Sequence, residues 1–414
     1  MTTNNNCFNT SLLTVDKTLE MIKSNIKSLS KTQTQSIRDA LGHTLAEDVT
    51  SSINVPPHRN SAMDGYAILS TDLNTGNKIQ LKVIGTSFAG APYDGTVSNG
   101  ECIRIMTGAM MPEGADTVIM QEDTERADDV ISLNCQHQAG QNVRHPGEDI
   151  KTGSVVLTAG KQISPADLGL LSSIGIAEIQ THCKPKVAFF STGDELKSLG
   201  ETLGPGDIYD SNRYTLFGML EKMDVEVIDL GVIADKKELI QQTLESAAQS
   251  ADMVLTSGGA SVGEADYISE ILQDIGQVNF WKIAMKPGKP LAFGHINQTP
   301  YFGLPGNPVS VMATCYLFVQ PAIAYLKGQK KSEHLSFKAT CLNPLKKAPG
   351  RTDFQRGILN QNEKGEITVD TTGMQGSHIL TSMSKANCFI VIPQDSGNVE
   401  AGSMVEVLPF NGIL

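Results

Sequence analysis

Apolar and polar positions fall into alternating blocks between residues 185 and 328. KVAFFS (186–191) reads as a buried strand. SNRYTLFGMLEKM (211–223) has helical spacing, with Asp210 or Ser211 as its cap. EVIDLGVI (226–233) reads as a second strand. Asp235 opens a helix over 235–250, and Glu238 three residues on completes a capping-box pattern. ADMVLTS (251–257) is a third strand, followed by a glycine-rich turn and the helix EADYISEILQDIG (264–276). Further strands are expected around 280–283, 290–295 and 301–304. A last long helix starts at Pro308, with Asn307 as cap and proline at the first helical position. Strands alternating with helices of this length predict a mainly parallel sheet with helices on both faces.

The pattern changes on either side. From 335 to 414, short runs such as GEITVDTT, NCFIVIP and MVEVLPF alternate with Gly, Pro and Asn turns, which predicts a small all-β domain. Residues 76–140 also read as β, through KIQLKVIG, GECIRIM and ADTVIMQE. Around them lie helical stretches at 15–26 and 165–174 (Ser164 capping, Pro165 first) and an extended, glycine-punctuated stretch at 141–163. The expected division is an elongated N-terminal part over 1–185 with a β module inserted at about 76–140, an α/β domain over 186–328, and the β domain over 335–414.

Bulk properties narrow the class. The 414 residues are 40% hydrophobic, enough for more than one core. A net charge of −12 argues against a nucleic-acid-coating surface. The seven cysteines contain no CxxC and no zinc spacing, so reduced thiols in a cytoplasm are expected. The N-terminus lacks the pattern of a signal peptide, and no uninterrupted apolar run of about 18 residues predicts a membrane span.

In open parallel sheets, ligands bind at the carboxyl ends of strands. Here those ends carry Asp194 and Glu195, then Asp235, then Ser257-Gly258-Gly259-Ala260-Ser261 with Glu264 and Asp266 beyond, then Pro305-Gly306-Asn307-Pro308. Glycine turns before helix N-termini suit phosphate, because backbone N–H groups approach closely and the dipole favours an anion. Neither loop is a dinucleotide or Walker fingerprint. Each also fits a tight turn. Asp194, Glu195, Asp235 and Asp266 invite Mg²⁺, which takes carboxylate oxygens and keeps waters and phosphates as its other ligands. By position alone, Asp235 fits a helix cap better than a metal ligand. Lys282, Lys286 and Lys289 surround a Pro-Gly turn and suit an anion, or simply a solvated turn. Arg351 and Arg356 offer similar donors. Asp64, beside Gly65 and Tyr66, reads as a buried loop anchor or a catalytic carboxylate.

Eight segments in order resemble the MoeA-type molybdopterin molybdenumtransferases, the family of the gephyrin E domain: NSAMDGYA (60–67), MTGAMMPEGADTVIMQED (106–123), STGDEL (191–196), TSGGASVGEADY (256–267), MKPGKP (285–290), GLPGNPVS (303–310), RTDFQRG (351–357) and GSHILTSMSKAN (376–387). The resemblance covers nearly the whole chain. It implies a four-part, elongated, cytoplasmic homodimer whose α/β domain is MogA-like, whose C-terminal domain is a small β-barrel, and whose residues 1–185 dimerise. The implied reaction inserts molybdate into adenylated molybdopterin with release of AMP, with Mg²⁺ as cofactor. Carried over by motif, the catalytic residues are Asp64, Thr107, Asp149, Glu195, Asp235 and Asp266, the last three also metal ligands. The implied substrate-binding residues are Ser257, Gly258, Gly259, Ser261, Lys282, Lys286, Pro305, Gly306, Asn307, Pro308, Arg351 and Ser377. The cleft is expected between the α/β domain of one subunit and the N-terminal part of the other. A molybdopterin adenylyltransferase and molybdoenzyme maturation proteins are the implied partners, with no nucleic acid and no membrane. PPHR (56–59), Asp353 and Ala260 depart from the family's pattern, the first at the cleft rim.

Two other classes fit parts of the chain. A pterin adenylyltransferase shares the α/β domain but needs neither 30–160 nor the C-terminal β domain. A non-catalytic scaffold tolerates loss of the acidic residues, which are present here.

Overall fold

The structure, a computed structural model, describes residues 12–74, 78–134, 136–258, 267–330, 334–410 and 414. Gly259, Ser261, Glu264 and Asp266 lie outside the described residues, as do Cys7 and Cys135.

Two helices precede the α/β domain, α1 (Val15–Asn25) and α2 (Pro165–Ser173), the latter closed by a Ser164/Asp167 capping box. The domain itself runs β1 (Lys186–Thr192), α3 (Ser211–Lys222), β2 (Glu226–Ile233), α4 (Lys237–Ser250), β3 (Met253–Ser257), α5 (Tyr267–Ile275), β4 (Gly276–Lys282), β5 (Pro290–Ile296), β6 (Thr299–Leu304) and α6 (Pro308–Leu326). The sheet order is β2-β1-β3-β6-β5-β4. The first four strands are parallel, and β5 and β4 are antiparallel at one edge. The apolar run of β1 explains itself on this sheet. Val187 and Phe189 face Leu216, Met219 and Phe302, while Ala188 and Phe190 face Ile240, Leu244 and Ile271 on the other side. A strand covered on both faces has no polar side to show. Phe189, Phe190 and Phe302 are each 0% exposed, which stabilises the fold by about 1.5–3 kcal/mol per side chain.

α6 is as long and apolar as a membrane-spanning helix, and 83% of its most apolar window is buried within the fold. It is the core helix, apolar all round because it is covered all round. The sheet packs on one side of it. On another side, Tyr316 meets Phe389 and Phe410 of the C-terminal domain. α1, expected with the N-terminal part, instead buries Ile22 and Ile26 in this same α/β core.

The C-terminal strands β7 (Phe337–Cys341), β8 (Thr352–Gln361), β9 (Ile367–Thr371), β10 (Cys388–Ile392) and β11 (Met404–Pro409) pair in the order β8-β9-β7-β11-β10, and β10 pairs back to β8, closing a five-stranded barrel. Strand Met285–Lys286 joins it parallel to β8.

The N-terminal part goes out and returns. Thr32–Ser36 pairs with Glu178–His182, Val49–Thr50 with Val155–Leu157, and Asn60–Ser61 with Val143–Arg144. A six-stranded sheet caps this two-way ribbon. It takes in Gly65–Ile68 as an inner strand, so the sheet begins upstream of residue 76. The 141–163 stretch is extended and glycine-punctuated, yet not bare. Ile150, Leu157 and Ile163 are in fact buried in a local core with Ala40, Leu45 and Leu171. Leu41, Ile53 and Val155 remain exposed on the same part.

The N-terminal part is fastened to the α/β domain near the C-terminal end of α6. The Leu29 N–H donates to the Leu326 carbonyl and the Gln329 amide donates to Thr44 Oγ1. Lys184 and Lys327 both pair with Asp224, at 2.5 and 3.5 Å.

Candidate functional site

Topology places most of the expected residues on one edge. β1, β2, β3 and β6 run the same way, so Asp194-Glu195, Asp235, Ser257-Gly258 and Pro305-Asn307 all follow carboxyl ends at that edge. β5 runs oppositely and β4 oppositely again, with Lys282 opposite Pro290, so the Lys282–Lys289 turn reaches the same edge. The Val309 N–H, in the first turn of α6, donates to the Ser377 carbonyl at 3.1 Å, which brings the C-terminal domain's GSHI loop against Pro308.

The two glycines differ in cause. Gly258 has φ +100°, a conformation side chains rarely adopt, so the turn alone demands glycine. Gly306 has no such angle, and a Cβ added there would meet nothing within 4 Å. The fold leaves that space open, as a loop that lets a ligand approach its backbone must. Gly306 and Asn307 are exposed while Pro305 behind them is buried. Asn307 precedes α6 but makes no side-chain cap, contrary to expectation.

Asn212, absent from the sequence-based site, ties these loops together. Its Nδ2 donates to Ser257 Oγ at 2.9 Å and to the Gly306 carbonyl at 2.8 Å. Nothing in the sequence marks it beyond a helix's first turn, because its partners lie 45 and 94 positions away.

The acidic group is real, and Asp235 is not a helix cap. α4 begins with Lys236 at its N-cap position and has no side-chain cap, so the expected Asp235/Glu238 box is not formed. Instead the Asp235 N–H donates to Asp194 Oδ1 at 3.2 Å. Burial, then Asp194, then Glu195 push the Asp235 carboxyl above its ordinary value of 3.8. Among the described residues, no three His, Cys, Asp or Glu side chains form a metal cage. That is compatible with Mg²⁺, which is commonly held by one or two carboxylates with water and phosphate. Concentrated negative charge of this kind fits a cation.

The basic side divides. Lys282, Lys286 and Lys289 are exposed. Lys286 is not entirely free, since its Nζ lies 3.9 Å from the buried Asp353 carboxylate, and Arg351 sits two residues before that aspartate. Arg356 does not serve as an anion donor. It is 1% exposed, with Nε donating to Ser382 Oγ and Nη2 to the Gly376 carbonyl, and burial lowers its pKa to about 10.

Asp64 and Thr107 meet in the inserted module. The Thr107 N–H and hydroxyl donate to Asp64 Oδ1 at 2.7 and 2.8 Å, and those bonds hold the Asp64 carboxyl below 3.8. Asp64 is exposed rather than buried as expected. Asp149 is also exposed, on the returning half of the ribbon, its N–H donating to the Val55 carbonyl. No hydrogen bond or ion pair between described residues links Asp64, Thr107 or Asp149 to the α/β edge of the same chain.

Residues 13–175 match the MoeA N-terminal region (domain I and II), 188–325 a "probable molybdopterin binding domain", and 338–410 the MoeA C-terminal region (domain IV). The chain is 48% identical over 407 residues to a molybdopterin molybdenumtransferase of Haemophilus influenzae, covering 97% of this chain and 100% of that protein. The chain belongs to the MoeA family. A Nostoc molybdopterin molybdenumtransferase is 33% identical, covering 96% of this chain and 94% of that protein. The crystal structure of a molybdopterin biosynthesis MoeA protein from Pyrococcus horikoshii OT3 superposes with a TM-score of 0.85 at 31% identity, covering 97% of this chain and all of that one. Within the MoeA architecture, the edge assembled above lies in the matched molybdopterin-binding region, and Asp64, Thr107 and Asp149 lie in the matched N-terminal region.

Proposed function

We propose that this chain is a molybdopterin molybdenumtransferase that takes adenylated molybdopterin and molybdate as substrates, releases AMP and leaves molybdenum on the pterin dithiolene. One observation carries the reading: two glycine loops, an acidic group and a lysine turn share one sheet edge in a chain of this family. The loop N–H groups from Gly306 on, followed by α6, receive the substrate's phosphates, beside the Gly258 turn, whose own N–H is donated to the Leu304 carbonyl. Ser257, Lys282, Lys286 and Arg351 hold anionic oxygens of substrate and molybdate. Pro305 and Pro308 fix the second loop, with Ser377 closing it from the barrel. Glu195 and Asp235 would hold Mg²⁺, with Asp266 as the expected third carboxylate. When bound, that ion supplies positive charge against the phosphates and the arriving oxyanion.

The site is completed by a second copy. Asp64, Thr107 and Asp149 sit out along the ribbon, whereas the ribbon's own attachment is near the far end of α6. A homodimer in which one N-terminal part reaches the partner's α/β edge brings them in. The exposed Leu41, Ile53 and Val155 give such a contact apolar area, and a stable one buries more than about 1,000 Å². A cytoplasmic location, and a molybdopterin adenylyltransferase and molybdoenzyme maturation proteins as suppliers and receivers, belong to the same reading.

The test supplies purified protein with adenylated molybdopterin. AMP release that needs molybdate is expected. Molybdate-independent release, or ATP-dependent adenylylation of the pterin, overturns the proposal in favour of an adenylyltransferase. Lys286→Ala is expected to weaken molybdate-dependent turnover without unfolding the protein, at a stability cost of about 1 kcal/mol or less for its 3.9 Å pair with Asp353.

A further inference from the structure

The junction of β3, β6 and α3 contains an unusual concentration of unpaired polar atoms. Asn212 Oδ1 and Asp210 Oδ2, with Ser191 Oγ on the neighbouring β1, are buried without a hydrogen-bond partner among the described residues. Ser191 is 0% and Asp210 3% exposed. Buried polar atoms are nearly always paired, so each exception needs a reason. Asp210 has a partial one, because its Oδ1 already caps α3 by accepting from the Arg213 N–H at 3.0 Å. For Asn212 the reason lies in its other end. Both Nδ2 bonds are made to residues of the two ligand loops, Ser257 at the end of β3 and Gly306 after β6. A side-chain amide donates to a carbonyl and a hydroxyl oxygen at once, and with Nδ2 turned to them Oδ1 has no partner among the described residues.

We infer that Asn212 is a positioning residue for the reaction: it sets the spacing and orientation of the Ser257 and Gly306 loops, and so the shape of the phosphate and pterin cradle. The inference rests on the reading that these loops hold the adenylated substrate. Two consequences follow from the bonds. By donating to Ser257 Oγ, Asn212 leaves the Ser257 hydroxyl hydrogen as a donor, and no described residue accepts it. By holding the Gly306 carbonyl back against α3, it keeps the open side of Gly306, where a Cβ would meet nothing within 4 Å, available to substrate. Thr256 braces the first loop independently, its Oγ1 donating to the Gly258 carbonyl at 3.0 Å. The strand ends stay joined by the Gly258 N–H to Leu304 carbonyl bond at 3.1 Å, so loss of Asn212 releases only the Ser257 hydroxyl and the Gly306 carbonyl beyond it, without dissolving either loop.

The test compares Asn212→Asp and Asn212→Ala with wild type. Asp has the same shape but no amide hydrogens, and its charge sits in the first turn of α3, where the helix dipole tolerates it. Measured quantities are KM and kcat for adenylated molybdopterin at saturating molybdate, equilibrium binding of that substrate, and the unfolding midpoint. Both variants are expected to raise KM and the dissociation constant about tenfold or more, with a smaller change in kcat and a near-normal midpoint. Non-additivity with Ser257→Ala is expected, since the two act through one bond. An Asp variant that binds like wild type overturns the inference, because shape alone would then suffice. So does a lowered midpoint with unchanged KM, which is a purely structural role. If wild type itself fails to bind adenylated molybdopterin, the proposed function falls, a result distinct from wild-type binding matched by the variants.

Discussion

Asp235→Asn is expected to stabilise the metal-free protein and to gain less stability than wild type when Mg²⁺ is added. The first half follows from charge. Burial and the neighbouring Asp194 and Glu195 raise the Asp235 carboxyl above 3.8, so the folded chain binds that proton more tightly than the unfolded chain does. Ionising the group therefore costs stability. The cost is absent below the unfolded value of 3.8, grows as pH rises through the elevated folded value, and is complete at neutral pH. The residue is only partly buried, so solvent screens the repulsion to a few tenths of a kcal/mol per neighbour. With two acidic neighbours the gain from Asn is about 0.5–1 kcal/mol. Capping offers no counter-effect, since α4 has no side-chain cap to lose. The second half follows from linkage. At tenfold excess over its dissociation constant, Mg²⁺ stabilises a folded protein by about 1.4 kcal/mol, and a site lacking one carboxylate gains less. Thermal unfolding in EDTA and in Mg²⁺, at neutral pH and near pH 4, reads both. A variant no more stable than wild type in EDTA at neutral pH refutes the repulsion argument. Equal Mg²⁺ stabilisation of the two proteins refutes the metal role of Asp235.

Two further outcomes test other parts of the structure. Thr107→Val keeps the backbone donor to Asp64 and removes the hydroxyl donor, so the Asp64 carboxyl, held below 3.8, should climb part-way back as followed by NMR titration; an unmoved value shows that the hydroxyl bond does not form. Lys327, 6% exposed, donates to the Met223 carbonyl at 2.7 Å and faces Asp224, whose carboxyl burial opposes but Lys184 and Lys327 hold below 3.8. Lys327→Met keeps the stem and loses these polar contacts, and should lower stability by about 1–3 kcal/mol in urea unfolding; an unchanged midpoint refutes the role of this junction.

Elements with a local cause were legible in the sequence. The strand at 226–233 has the bounds expected from its apolar run, Asp210 caps α3, and Ser164 with Pro165 starts α2. Misreadings arose where a residue had two uses. Asp235 has the composition of a cap, but the chain turns one residue later and its amide is taken by Asp194, 41 positions away. Arg356 has the composition of an anion donor, but the closing of the barrel buries it against Ser382 and Gly376. The helix at 15–25 precedes the ribbon in sequence, yet its apolar face fits the α/β core, and a periodic pattern does not say which core it will meet.

The sequence by itself determined the alternation of strands and helices, the position of the glycine loops and acids at strand ends, and the family, because period, turn chemistry and ordered motifs are local properties. Tertiary structure decided which of those ends share an edge. The reversal of β5 and β4 carries the lysine turn back to the glycine loops, the return pairing of the ribbon meets Asp64 with Thr107 away from them, and Asn212 acquires its role only when strands 45 and 94 positions distant arrive on either side of it. Hydrogen bonds and charge interactions act over ångströms in space, whatever the separation along the chain, so no window of sequence contains them.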